Sequence, residues 1–190
     1  YHGLLVCPID GYEGRYHFLS AVDVTVMDSS GLTLGTNRYP DAQYPDSFRF
    51  IEESRFMPWP SWLYRSGQTA LRKEIFMCKN ESAVWLVYTL EDGPDEVKLD
   101  LKFLFTCRNS HELTRSNDSI NTDVMIEAAG IRLKPYPGLP GIDITFSDEW
   151  HQEGGIYWDY NVCYKTEKER GHEWIEDRFV PGRITASVHM

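Results

Sequence analysis

The stretch VWLVYTLEDGPDEVKLDLKFLF, residues 84–105, decides the fold. Its second half sets Val97, Leu99, Leu101, Phe103 and Phe105 in strict alternation, with Lys98, Asp100 and Lys102 between them. A helix would scatter those five side chains around its axis. A strand sends successive side chains to opposite faces and so puts all five on one side. One face of this segment must be buried and the other partly wet. The first half, Val84 to Leu90, is apolar and rich in β-branched and aromatic residues, which also suits a pleated surface. Glu91-Asp92-Gly93-Pro94-Asp95 is a run of breakers. The whole stretch therefore reads as two strands paired through a turn.

The same period extends outward. Val22, Val24 and Val26 alternate with Asp23 and Thr25, Ser29-Ser30-Gly31 supplies a turn, and Leu32-Thr33-Leu34 resumes, which reads as a hairpin. Trp62 to Arg65, the turn Ser66-Gly67-Gln68, and Ala70 to Met77 read as a second. There Leu71, Lys73 and Ile75 share one face and Arg72, Glu74 and Phe76 the other. Neither face is purely apolar, which predicts cover on both sides or a packed partner. After Cys107 a polar loop runs from Arg108 to Asp118. Strands resume at Val124 to Ala128, Ile131 to Lys134 and around Ile142, Ile144 and Phe146. Residues 156–164 are aromatic and extended. Lys165 to Arg170 reads as a single helical turn closed by Gly171. No segment carries the period of a long amphipathic helix. Many short strands between Gly, Pro, Asn and Asp turns predict an all-β sandwich or barrel. No repeat, low-complexity tract or linker divides the chain, so residues 1–190 read as one domain.

A net charge of −10 argues against nucleic acid, whose phosphates need concentrated Lys and Arg. No apolar run is long enough to span a membrane. Cys7, Cys78, Cys107 and Cys163 are far apart and form no C-x-x-C pair, so they read as reduced thiols of a cytoplasmic protein. No His/Cys spacing suggests a metal, and nothing suggests a cofactor. The familiar catalytic motifs of hydrolases, nucleotide-binding loops and zinc proteases are absent. His111 and Glu112 read as solvated loop residues. Aromatic residues make up 14% of the chain, which fits either a β-rich core or a surface where flat rings stack on sugars. In Tyr157-Trp158-Asp159-Tyr160 an extended backbone puts Trp158 and Tyr160 on one face, as a stacking platform or as core. The carboxylates near tryptophans (Asp143, Asp148, Glu149, Asp159, Glu176, Asp177) read as edge charges that keep a β domain soluble.

Five stretches in order carry a resemblance: YHGLLV at 1–6, TNRYPD at 36–41, RNSHELTR at 108–115, LKPYPGLP at 133–140 and ERGHEWIEDRFVPG at 169–182. Together they resemble the N-terminal domain of bacterial and archaeal glycogen debranching enzymes of the amylo-α-1,6-glucosidase type, across essentially the whole chain. That resemblance implies a many-stranded antiparallel β-sandwich of the supersandwich kind, similar to the N-terminal domain of bacterial glucoamylases. It implies a following (α/α)6 catalytic barrel in the same polypeptide, which holds the acid and base for α-1,6 branch hydrolysis. This chain would then be non-catalytic, with the barrel and glycogen or branched α-glucan as its partners. In the family a Gly-rich segment and an Asn-Thr-Arg-Arg run precede the Tyr-His step, so YHGLLV reads as an internal strand with Leu4, Leu5 and Val6 in the core. Asn109 and Ser110 replace the family's Asp and Tyr. Tyr1, His2, Asn37, Arg38, Tyr39, Arg108 and His111 are the matching polar positions, expected to face the barrel or the glucan, together with Trp158 and Tyr160. Two other readings stand beside this one: a free-standing α-glucan-binding module, and a mutarotase-like sandwich enzyme with a His and a carboxylate in one cleft.

Overall fold

The structure, a computed structural model, describes residues 3–190. Strands β1 (Leu5–Pro8), β2 (Arg15–Val26) and β3 (Thr33–Leu34) begin the largest sheet. β4 (Thr36–Arg38) and β5 (Gln43–Asp46) form a separate hairpin. β6 (Ile51–Arg55), β7 (Ser61–Ser66), β8 (Thr69–Met77) and β9 (Val84–Asp92) make a four-stranded antiparallel meander. β10 (Glu96–Asn109) returns to the large sheet, and β11 (Val124–Glu127), β12 (Gly130–Leu133) and β13 (Ile142–Thr145) form a three-stranded one. β14 (Trp150–Glu153), β15 (Tyr157–Cys163), the five-residue helix α1 (Lys165–Glu169), β16 (Ile175–Val180) and β17 (Arg183–His189) complete the large sheet. The fold is an all-β sandwich, as the alternation predicts.

β10 is the spine of the large sheet. Leu101 stands between Val24 of β2 and Ile184 of β17 in register, and Phe105 stands opposite Phe179 of β16. Val22, Val24 and Val26 join Leu99, Leu101 and Phe103 in a core that also takes Tyr64, Leu71 and Leu90 from the meander and Ile131 and Leu133 from the small sheet. Each such side chain contributes about 1.5–3 kcal/mol when fully buried. Leu4 and Leu5 pack against this core. Val6 does not join it, because the alternation along β1 that turns Leu5 and Cys7 to the core turns Val6 away from it.

The hairpins expected at 22–34 and 62–77 are present, with Val24 opposite Leu34 and Tyr64 opposite Leu71. The pairing expected across Glu91–Asp95 is not. β9 pairs with β8 along its length, from Val84 opposite Met77 to Leu90 opposite Leu71, while β10 pairs with β2. The breaker-rich corner instead carries the chain from one layer to the other. Both strands have an apolar face to bury, and turning those faces toward each other across the core removes both from water at once. Gly93 makes the corner at φ +134, where a side chain is strained, with its missing Cβ directed 3.5 Å from the Thr69 backbone. Among the described residues no further sheet covers the outer face of β8. Arg72 there pairs with Glu53 at 3.0 Å and with Glu91.

Candidate functional site

The large sheet has an outer face, and the hairpin β4–β5 stands against part of it. Because β2 and β10 alternate, burying Val24 and Leu101 turns Asp23, Thr25, Asp100 and Lys102 outward. β16 adds an unusual run, Glu176-Asp177-Arg178, with all three side chains buried. Arg178 is 2% exposed. Its Nε and Nη2 donate to Asp159 Oδ2 at 2.9 and 2.5 Å, and its Nη1 donates to Asn37 Oδ1 at 2.9 Å. Lys102 Nζ donates to Asp159 Oδ1 at 2.7 Å and the Tyr39 hydroxyl to the same oxygen at 3.0 Å. Asn37 Nδ2 donates to Asp23 Oδ2 at 2.5 Å. Gly35 lets the hairpin come this close: at φ +154, its Cβ would fall 2.4 Å from Asp23 Oδ1.

Two carboxylates thus face two cations, and the environments of the acids differ. Burial would raise the Asp159 carboxyl, but the Arg178 and Lys102 charges outweigh it and hold it below the usual value. At Asp23 burial wins over the more weakly felt Arg178 and Lys102, and the carboxyl is raised. Burial and the Asp159 charge push the Tyr39 hydroxyl up, so Tyr39 stays a donor.

Above this network opens a cleft of about 490 Å³, lined by Tyr39, Tyr44, Tyr157, Asp100, Lys102 and Arg183 among others. Tyr44 and Tyr157 are 70% and 45% exposed, so their rings are available to a partner. Arg183 Nε holds Asp100 at 3.0 Å, and Lys102 lies 5.7 Å from the Tyr157 ring centre. Asp159 is saturated by cations and its carboxylate is not free to shuttle protons. The exposed rings, with charged groups beside them, suit binding by stacking and hydrogen bonds. Among the described residues no histidine lines the cleft. Among the described residues no three His, Cys, Asp or Glu side chains are arranged to hold a metal.

Of the residues singled out in the sequence, Asn37 and Tyr39 come together in this network. Arg38, between them, turns away to donate to Gln43 Oε1 at 3.1 Å. Arg108 does not face a partner surface: it is 5% exposed and grips Glu176 through both Nε and Nη2, the latter at 3.1 Å. Glu176 also accepts from the Thr114 amide at 2.9 Å and from the Tyr164 hydroxyl. His111 is exposed on the turn that follows β10. Trp158 packs edge-on to Phe179 at 5.8 Å, as core, while Tyr160 is 54% exposed, so they form no shared platform. A β-bulge between Asp159 and Val162, with Asn161 at φ 62, interrupts the alternation there. Tyr1 and His2 lie outside the described residues. The reading of Asp159, Glu176 and Asp177 as edge charges is overturned, since all three are buried and hydrogen-bonded. Asp23, Lys102 and Arg178 were missed altogether. The available signal was three consecutive charges running into Phe179-Val180 in a strand, an arrangement that leaves neither face apolar.

No curated protein and no solved structure matches the chain. A family model described as glycogen debranching enzyme N terminal matches residues 1–190, and the chain belongs to that family.

Proposed function

We propose that this chain is the non-catalytic N-terminal domain of a glycogen debranching enzyme, an amylo-α-1,6-glucosidase acting in the cytoplasm. Its cleft-bearing face packs on an (α/α)6 catalytic barrel of the same polypeptide and adds contacts to the branched α-glucan held there. The observation that carries this reading is the cleft itself, with exposed Tyr44 and Tyr157 beside Asp100, Lys102 and Arg183, on a floor fixed by the Asp159–Arg178 network. A hydrogen-bonded polar floor beside exposed aromatic rings suits an interdomain glucan surface. The four unpaired cysteines support a reducing compartment. In the intact enzyme, the double substitution Tyr44→Ala/Tyr157→Ala is expected to raise KM for branched glucan about tenfold or lower Tm by several degrees. Both values unchanged would refute the reading.

A free-standing α-glucan-binding module is the second reading. It is supported by a different surface, the outer face of the meander, where Phe76 and Trp85 lie parallel at 6.1 Å and Trp59 sits 5.6 Å from Phe76. Trp59 and Trp85 are 43% and 51% exposed. Titration of the 190-residue chain with maltoheptaose and with glycogen separates the two. Saturable binding that is lost in Trp85→Ala supports the module, and no binding without the barrel supports the accessory domain. The mutarotase-like reading asks for a histidine in the cleft, and among the described residues none lines it.

A further inference from the structure

A second, smaller hollow of about 150 Å³ lies on the far side of Tyr39, lined by Arg38, Pro40, Cys163, Lys165, Lys168 and Trp174 together with Tyr39 itself. We infer that it is an anion site for a phosphate or a phosphate ester. The chain carries 29 acidic against 19 basic residues, so an arbitrary surface hollow should be acidic. This one gathers three cations from two distant segments, the end of β4 and helix α1.

Two of those cations are uncommitted. Arg38 donates only to the neutral Gln43, and among the described residues it has no carboxylate partner. Lys168 has none either; its Nζ lies 4.0 Å over the centre of the Trp174 ring. Lys165 reaches Glu169 at 3.6 Å with both side chains exposed, a contact that competes weakly with a bound anion. Arg38, Lys165 and Lys168 line the same hollow as Cys163, and the charges of Arg38 and Lys168 both reach that thiol, as does the opposing charge of Asp41. A guanidinium fork and two ammonium groups around a small hollow match a tetrahedral oxyanion, and the Trp174 ring offers a flat wall to the carbon part of an ester. This inference does not depend on the role proposed for the cleft.

The test titrates the 190-residue chain at low ionic strength with inorganic phosphate and, separately, with glucose 6-phosphate. Heat of binding and tryptophan fluorescence are both followed. Saturable binding is expected, with a change in emission that disappears in Trp174→Phe while the heat remains. Lys168→Gln and Arg38→Gln should each weaken binding about tenfold or more, the loss of one charge-assisted hydrogen bond. Both side chains sit at the surface of the hollow, so either variant serves if the other folds poorly. Tighter binding of the sugar phosphate identifies an ester site, and equal binding identifies free phosphate. Absence of saturation with both probes up to about 10 mM, or an affinity indifferent to both substitutions, overturns the inference.

Discussion

Of the buried cations Lys73, Arg108 and Arg178, the first and the last are treated in opposite ways. Arg178, on the outer side of the large sheet, is surrounded by acceptors from three other elements: Asp159 twice, Asn37 and the Tyr39 oxygen at 3.3 Å. Lys73, on the inner face of the meander, stands in register between Trp62 and Tyr88 and is 8% exposed. Among the described residues it has no hydrogen-bond or ion-pair partner, only the field of Asp23. The Tyr88 hydroxyl next to it also finds no partner. Burial pushes the Lys73 amine down to about 8. A guanidinium cannot shed its proton, so the fold has to bring carboxylates to it. An amine can, so the interior tolerates it by weakening its charge. Partners, rather than depth, separate a region that is fixed by its charges from one that merely endures one.

The comparison breaks most readily at Arg178. Arg178→Met leaves Asp159 and Asp23 buried with Lys102 as their remaining cation and strips Asn37 Oδ1 of its donor. Orphaning a buried charge costs about 3–5 kcal/mol. Urea denaturation should therefore show the largest loss of any single substitution in this network. Removing both charges in Arg178→Met/Asp159→Leu should recover part of that loss. A single-variant loss below about 1 kcal/mol would mean that the network is not a closed unit.

At Lys73 the sign reverses. Lys73→Met removes a charge that the folded state holds at a cost, and it should stabilise the protein by about 1–3 kcal/mol at pH 7. The folded amine titrates near 8 and the unfolded one near 10.5, so between those values the unfolded chain binds more protons. Wild-type stability gains with rising pH through that window. The advantage of Lys73→Met should be full below pH 8 and fade by pH 10.5. Equilibrium unfolding of both proteins across that range checks it. A gap that stays constant would show that the lysine titrates normally.

This contrast explains what could be read in advance. Strict alternation in 97–105 and 22–26 identified β10 and β2 because a period of two needs only local sterics and one buried face. The same signal says that a face is buried, not which sheet buries it. For that reason β9 was expected beside β10 and lies in the opposite layer. The site was harder still. Arg178 meets Asn37 across 141 residues of chain, and nothing local distinguishes a charge destined for that contact from a solvated one. Asn37 and Tyr39 were legible through the TNRYPD resemblance, while Asp23 and Lys102 looked like the wet positions of ordinary strands. Arg108 was legible only through the RNSHELTR resemblance, and its burial against Glu176 was not, since a strand-end arginine looks the same whether it faces a partner or an internal carboxylate.

The smallest expected effect is the sharpest test, because it puts the contrast between Arg178 and Lys73 inside a single network. Asp159 and Asp23 are both buried there, yet one carboxyl is lowered and the other raised. Asp159 contributes stability that is lost as pH falls through its depressed value. Asp23 does the opposite: just above the ordinary carboxylate value the folded state binds more protons than the unfolded one, so its charge costs stability as pH rises. Asp23→Asn keeps an oxygen to accept from Asn37 and removes that charge. It should therefore be neutral or stabilising by up to about 1 kcal/mol at pH 7. The gain should shrink on acidification, where the wild-type carboxyl is already protonated in the fold. Comparing urea midpoints of the two proteins at pH 7 and pH 4.5 measures this. A clear loss of stability at pH 7 would make Asp23 a working counter-ion of Arg178, and the tolerated charge of this outer face would have to be sought elsewhere.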